Sequence, residues 1–456
     1  MSLREIVLIG IVAAACVLAL IRPKYGLYAY IWYALMRPDV LAWVEDERNI
    51  YSMIIFGATA ISSVRYLSNL QRLFQSFFSV TLLLLQVPIA LSVIAAVNYE
   101  LAAPRYSFFI KMFCALLLIP LLIETEKDLR DLILVMALSL GFVGIKYGLF
   151  GVIHGGVELA RGYGPMLADN NFVALGLATI MPLCWYARAL TPNKTVQWVL
   201  LAMFVFCIPG IIMTNSRGGI ITLGVVLLYV FFRTRNKTLA LLLMAGVVSG
   251  AIYLVQDMFV SRMSTLQNVE EEASAASRLH HLETAWRMWL DYPVFGVGFG
   301  GINYGFLASR YGESEIVAQH VAHNSYAQML VDSGFAAFLL YVIPLLGSIW
   351  WLGASRKRMR TLFPGDAARE AIPTGLQGSM IAFALDSSFY SCQRIDLPYM
   401  LLLTVAVWQI VERQLRLQAI SSPARAPVAF QPPLSPMPAP SPASLPSGFR
   451  NLGPAR

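Results

Sequence analysis

Charge is scarce in this sequence. Only 13% of its 456 residues are Asp, Glu, Lys or Arg, where a soluble protein carries about 25%. Hydrophobic residues make up 57% and fall in repeated long apolar runs. That excludes an ordinary soluble globule and points to a polytopic α-helical membrane protein. Short alternating strands are missing too, which removes the β-barrel reading. Cysteine is sparse: Cys16, Cys114, Cys184, Cys207 and Cys392 are scattered, with no spacing for a metal site or a disulfide framework. There is no Asp-x-Asp element to hold a divalent ion under a sugar-nucleotide diphosphate, and no Asp/Glu pair with metal-ligand spacing. The expectation is therefore no metal and no cofactor. No internal repeat is visible, which counts against a transporter built from inverted halves. The first apolar run lacks a small-residue cleavage site and reads as a retained helix rather than a signal peptide.

What is present is a series of apolar runs. After 5–21 and 25–36, which form one broken element or a tight pair, runs lie at about 50–64, 77–97, 106–123, 131–150, 171–189, 196–213, 218–232, 238–255, 326–351, 374–391 and 397–412. The fold class expected is all-α: a transmembrane helical bundle of about 12 crossings with one large periplasmic helical loop. The net charge of +8 fits loops rather than a nucleic-acid surface. Arg233, Arg235 and Lys237 crowd one short loop, and Arg356, Lys357, Arg358 and Arg360 crowd another, so both read as cytoplasmic. Alternation then puts 65–76, 124–130 and 188–195 inside as well, and 98–105, 151–170, 214–217, 256–325 and 391–396 outside. The division that follows is an N-terminal transmembrane region 1–255, a periplasmic loop 256–325, a C-terminal transmembrane region 326–416 and a Pro-rich tail 417–456. The tail is rich in Pro and Ser with little apolar periodicity, and reads as disordered and cytoplasmic.

The longest polar interruption ends in Arg278 to Gly334. It holds four of the five histidines (His280, His281, His320 and His323) and the glycines Gly296, Gly298, Gly300 and Gly301. Four groups facing outward are chemically informative. His323-Asn324 precedes an apolar run; a helix beginning near Ser325 would favour neutral imidazole there, the form a general base needs. A capping or interfacial histidine is the plainer reading. Asn215-Ser216-Arg217-Gly218-Gly219 holds an arginine in a very short turn, suited to an anion or to simple interfacial anchoring. Arg278 opens an amphipathic stretch with Arg287, Trp286 and Trp289, expected to lie along the interface. Its Gly-x-Gly sequence follows no strand, so it is no dinucleotide loop. In the loop 151–170, His154, Arg161, Asp169 and Asn170, with Asn171 and Lys146 flanking it, face either a diphosphate or lipid headgroups. Asp386 and Lys111 are the intramembrane charges that a transport path would use.

Together these elements resemble the bacterial O-antigen ligase and polymerase superfamily. His323-Asn324 with Gly334 eleven residues after the histidine is similar to its histidine signature. Ser216-Arg217-Gly218-Gly219 is similar to its Ser-Arg-Gly-Gly element. Arg278, fifteen residues before Pro293, and Pro293-x-x-Gly296-x-Gly298 resemble its periplasmic-loop signature, and the three occur in the family's order. Arg22-Pro23 and Arg37-Pro38 look like the ligase branch that accompanies exosortase-type systems. Ala337 departs from the small polar residue or Gly of many ligases, which weakens assignment to the ligase over the polymerase but not to the superfamily.

The resemblance implies an inverting, metal-independent glycosyltransferase of the bacterial inner membrane, with its active site on the periplasmic face. The donor would be a glycan on undecaprenyl diphosphate, and the acceptor a hydroxyl of lipid A-core, in lipopolysaccharide biosynthesis. The expected base is His323. Arg217, Arg278 and Arg161 would hold the donor diphosphate, and Asn324, Asn215, Lys146 and Arg287 would support them. Membrane lipids are expected partners and nucleic acid is not. The alternatives are a polymerase, whose acceptor is a second lipid-linked glycan, a protein O-glycan ligase and a transporter of the lipid-linked glycan.

Overall fold

A computed structural model of the chain describes residues 3–42, 50–154, 169–234, 270–311 and 321–421, with a few single residues and pairs between 237 and 249; for 270–278 it describes the helical backbone only. Residues 1–414 form one compact unit and 415–456 a second, of which only the last turns of a helix, to Ser421, are described. The described residues hold helices and no strands.

In chain order the main helices are α1 (Leu3–Ile21), α2 (Pro23–Met36), α3 (Ile50–Ser63), α4 (Phe77–Ile94), α5 (Tyr99–Leu116), α6 (Glu126–Ile153), α7 (Asn170–Tyr186), α8 (Lys194–Ile212), α9 (Arg217–Arg233), α10 (Glu270–Asp291), α11 (Ile302–Ala308), α12 (Ser325–Leu362), α13 (Ala367–Asp386) and α14 (Asp396–Ser421). Their starts are written in the sequence. Ser76, Asn98, Asp169, Ser216, Asn324 and Asp366 each cap a helix by accepting from a first-turn N–H, and Thr125 with Asp128 forms a capping box on α6. The α6–α8 pair packs closely because small residues line it: a Cβ on Gly148 would stand 2.0 Å from the Phe206 carbonyl oxygen. Helix α7 is the most enclosed, and α1 lies at the periphery with most of its surface open.

Eight helical segments are long and apolar enough to cross a membrane, fewer than the 12 or so expected. The difference has separate causes. The run at 218–232 is helical, but α9 has only 17 residues. The run at 374–391 is cut short: α13 stops at Asp386, and Ser387 onward is loop. The run at 397–412 is helical within α14 but is not among the eight. Most of 238–255, and with it much of the expected periplasmic loop and the tail beyond 421, lies outside the described residues. Residues 3–36 are two helices, split where Pro23 opens α2. Leu8 and Val12 of α1 pack against Tyr33 of α2 and Ile55 of α3, so the chain doubles back at Arg22.

The bundle has two chemically different ends. One is tied by ion pairs: Lys24 to Asp128 at 2.7 Å, Arg130 and Arg369 to Glu126, Arg356 to Glu370 at 3.2 Å, and Arg358 to Glu412. Arg72 is buried there and donates to the carbonyls of Pro120 and Ile123 at 2.9 and 2.7 Å. Arg72, Arg130, Arg356 and Arg358 belong to segments that the sequence assigns to the cytoplasm. The other end carries the glycines, histidines and helix starts singled out above.

Candidate active site

Two helix starts at that second end are built alike. Asn215 adopts left-handed backbone (φ 53), Ser216 caps α9 and Arg217 is its first residue. His323 adopts left-handed backbone (φ 48), Asn324 caps α12 and Ser325 is its first residue. A non-glycine side chain in this region costs energy and persists only where its surroundings demand it. In both cases a motif residue occupies the costly position. The expected helix start at Ser325 is therefore observed, with His323 two residues before it, at a boundary where helix N–H groups point outward.

A loop that the sequence reading counted partly as membrane span joins these two starts. It runs from Ser387 to Ile395. The Ser387 carbonyl accepts from the Ser325 N–H at 2.8 Å, and the Ser388 carbonyl accepts from Asn324 Nδ2 at 3.1 Å. Ser325 Oγ donates to the Tyr390 carbonyl at 2.6 Å and accepts from the Cys392 N–H at 2.8 Å. The Tyr390 hydroxyl hydrogen-bonds Ser216 Oγ, the cap of the other helix. A Cβ on Gly218 would come within 2.6 Å of that hydroxyl, so the first glycine of Ser-Arg-Gly-Gly is there to let Tyr390 in. Burial pushes the Cys392 thiol up to about 12, so it is a buried structural group rather than a nucleophile.

The same loop reaches the glycine segment. Asp332, on the second turn of α12, is fully buried and accepts three hydrogen bonds: from Gln328 Nε2 at 2.8 Å, the Gly300 N–H at 3.2 Å and Gln393 Nε2 at 3.3 Å. Gln328 Oε1 in turn accepts from the Ala322 N–H at 2.7 Å and from Ser391 Oγ at 3.2 Å. Arg394 donates to the Gly300 carbonyl at 3.1 Å. Gly334 explains itself at this point. It breaks α12 with φ 78 and ψ −179, a region open essentially only to glycine. The break frees the Val331 and Asp332 carbonyls to accept from the N–H groups of Val297 and Gly298 at 2.9 and 3.0 Å. A Cβ on Gly334 would lie 2.0 Å from the Val294 carbonyl oxygen. The Gly-x-Gly segment is thus an extended clamp against broken α12.

Helix α10 brings a second histidine to the first. The rings of His281 and His323 have centroids 5.6 Å apart, and His281 is buried. Its carbonyl accepts from the Tyr304 hydroxyl at 3.0 Å. Behind the pair, Ala285, Met288, Val297, Tyr304, Ala322 and Val331 form one apolar cluster. Trp286 and Leu290 are exposed on the other face of α10, as an interface helix requires.

His323 and Asn324 are half-buried at the start of α12, and Arg217 is exposed at the start of α9 with Asn215 half-buried before it. The Tyr390 loop links these two starts. Arg278 belongs to α10, three residues before His281, but its side chain is not among those described. Arg161 and His320 lie outside the described residues. Lys146 is half-buried on α6, near the end of that helix. Arg287 is exposed on α10 and ion-paired with Glu283. Asp386 accepts from Thr222 at 2.8 Å, and Lys111 lines a cavity whose lining does not include Asp386. Among the described residues no three His, Cys, Asp or Glu side chains converge on a point. Sequence reading passed over His281, Asp332, Gln328, Tyr390 and Arg394. The signal available was the polar density of Asp386-Ser387-Ser388-Phe389-Tyr390-Ser391-Cys392-Gln393-Arg394, too high for a membrane run.

The model of the O-antigen ligase family matches residues 202–342, from within α8 through the Gly334 break. That match supports placing the chain with the O-antigen ligase and polymerase superfamily. The match takes in every superfamily motif residue that the Tyr390 loop joins, but not the loop itself, which lies beyond residue 342. A second model, of a family of unknown function, covers residues 3–191. No curated protein matches the chain. The apolar helices and the family match together point to an integral membrane protein, and the family implies lipid-linked glycan and membrane lipids as partners.

Proposed function

We propose that this protein is an O-antigen ligase, moving a glycan from undecaprenyl diphosphate to a hydroxyl of lipid A-core at the periplasmic face of the inner membrane. The observation that carries the site is the linkage of two costly helix starts, one presenting His323 and the other Arg217, through Tyr390 and its loop.

In the proposed reaction, His323 accepts the proton of the acceptor hydroxyl as its oxygen bonds to the anomeric carbon. The bond from that carbon to the diphosphate oxygen breaks on the opposite side, giving inversion. General-base assistance of this kind contributes about 10²–10⁴-fold. The departing diphosphate gathers negative charge, which Arg217 and Arg278 would meet with paired N–H donors. His281, beside the His323 ring, would orient it and limit its access to water. With arginines on the leaving group, the chemistry needs no metal to neutralise it, and metal independence is part of the proposal. The ionic end of the bundle then faces the cytoplasm and the motif end the periplasm, as the positive-inside rule requires.

Polymerase and protein ligase differ from this reading only in acceptor. Ala337 is fully buried, and its departure from the residue of many ligases is the feature that favours the polymerase. The test is purified protein with lipid-linked glycan and, in turn, lipid A-core, a second lipid-linked glycan and a hydroxyl-bearing peptide. Glycosylation of lipid A-core supports the ligase. Glycosylation of another acceptor with lipid A-core untouched would overturn it.

A further inference from the structure

A cavity of about 560 Å³ adjoins the glycine segment through Arg105, whose Cβ would stand 2.8 Å from a Cβ on Gly300. Arg105 and Lys111 of α5 line it, with Arg394 and Asp396 from the start of α14, and Met53 and Phe108 at its exposed apolar rim. None of the three superfamily motifs contributes to it. Arg37 is also there, ion-paired with Asp39 at 2.6 Å.

The charge balance of this cavity is unusual. Arg105 and Lys111 have no carboxylate partner among the described residues, and Arg394 spends one N–H on the Gly300 carbonyl. Arg394 is held below the usual guanidinium range, first by burial and then by the neighbouring Arg105 charge. Like charges gathered at one cavity repel each other unless an anion joins them. Asp396 is the carboxylate in the lining, and its Oδ1 is buried with no hydrogen-bond partner. Lys111 and Arg105 both sit on a helix apolar enough to span a membrane, where a charge marks function more often than structure. Met53 and Phe108 are exposed at the mouth, so the opening is apolar where hydrocarbon would meet it.

We propose that this cavity binds the phosphate of an anionic, hydroxyl-bearing amphiphile. Arg105, Lys111 and Arg394 hold the phosphate, Asp396 Oδ1 accepts a headgroup hydroxyl, and the hydrocarbon leaves past Met53 and Phe108. The site is distinct from the diphosphate position at Arg217 and does not depend on the transfer reaction.

The test uses the full-length protein in detergent, with lipid binding read by native mass spectrometry. Phosphatidylglycerol, phosphatidylcholine and inorganic phosphate are titrated separately. The expected result is preference for phosphatidylglycerol over phosphatidylcholine and no displacement by inorganic phosphate. The double variant Arg105→Gln, Lys111→Gln removes two exposed side chains from a helix surface. It should weaken phosphatidylglycerol binding by about ten- to a hundred-fold, the worth of one or two charge-assisted hydrogen bonds. His323→Ala should bind like wild type, which keeps this test separate from that of the transfer site. Equal binding of the two lipids to wild type would overturn the proposal, a comparison that needs no variant to fold. So would unchanged binding in the double variant. Full displacement by inorganic phosphate would make this a site for soluble anions and end the lipid assignment.

Discussion

Asp332 touches no predicted substrate position, yet the structure makes it decisive for the site. Asp332→Asn keeps the shape and replaces one acceptor oxygen with an NH₂ group. Three donors now face a side chain with one oxygen. The Gly300 N–H is backbone and cannot turn away, so the amide oxygen must stay on that side. Its NH₂ then meets Gln328 Nε2, 2.8 Å from the present carboxylate oxygen. Gln328 cannot flip in response, because its own oxygen already serves Ala322 and Ser391. One hydrogen bond to a carboxylate is lost and two donors are opposed, a cost of about 1.5–3 kcal/mol. If the cost falls on the alignment of the glycine segment with α12, transfer drops roughly ten- to a hundred-fold. The compensating change is Gln328→Glu. A carboxylate at position 328 still accepts from Ala322 and Ser391 and also accepts the new NH₂, so the double variant should recover most of the rate. The assay is transfer by purified protein at matched concentration, with thermal stability measured in parallel. Wild-type transfer by Asp332→Asn, or no recovery in the double variant, would refute this account of the network.

His323→Ala should abolish transfer while leaving thermal stability and donor binding nearly unchanged, and appreciable transfer by that variant would remove its role as base. Arg217→Lys should retain only part of the rate and Arg217→Ala almost none, because a lysine cannot make the parallel pair of bonds; full activity of the Lys form would reduce Arg217 to a headgroup anchor. Gly334→Ala should lower stability by at least about 1–3 kcal/mol from backbone strain alone and lose transfer, checked by thermal unfolding beside the transfer assay. Transfer should persist in excess chelator, and activity lost there and restored by magnesium or manganese would contradict the metal-free reading.

Much of this was legible from the chain. Long apolar runs, capping residues and paired loop charges are local signals, and they located most helices and separated the two ends. The His323, Arg217 and Gly-x-Gly elements were visible because each is contiguous. What joins them was not. Tyr390 lies 174 residues from Ser216 and 65 residues from Ser325, and nothing in its own neighbourhood says that it bridges two helix caps. The run at 374–391 was misread for a related reason: hydropathy averages over a window, and the apolar residues before Asp386 hid the polar loop after it. His281 was one of four clustered histidines with no local feature to prefer it. Only the meeting of α10 with the start of α12 selects it.

The interruption of α12 at Gly334 also has a mechanical side. An unbroken helix of 38 residues would be a rod of about 57 Å. Any tilt imposed at its ionised end by lipid thickness or by the Arg358–Glu412 contact would swing its tip, where His323 sits, as a lever swings its far end. The break leaves a short arm of roughly 14 Å in front of Gly334, fixed sideways by the Val297, Gly298 and Gly300 contacts and by the Ser387–Ile395 loop. The aim of the short arm is thus set by the residues packed around it rather than by the direction of the long arm, and Gly334 is where the two directions part.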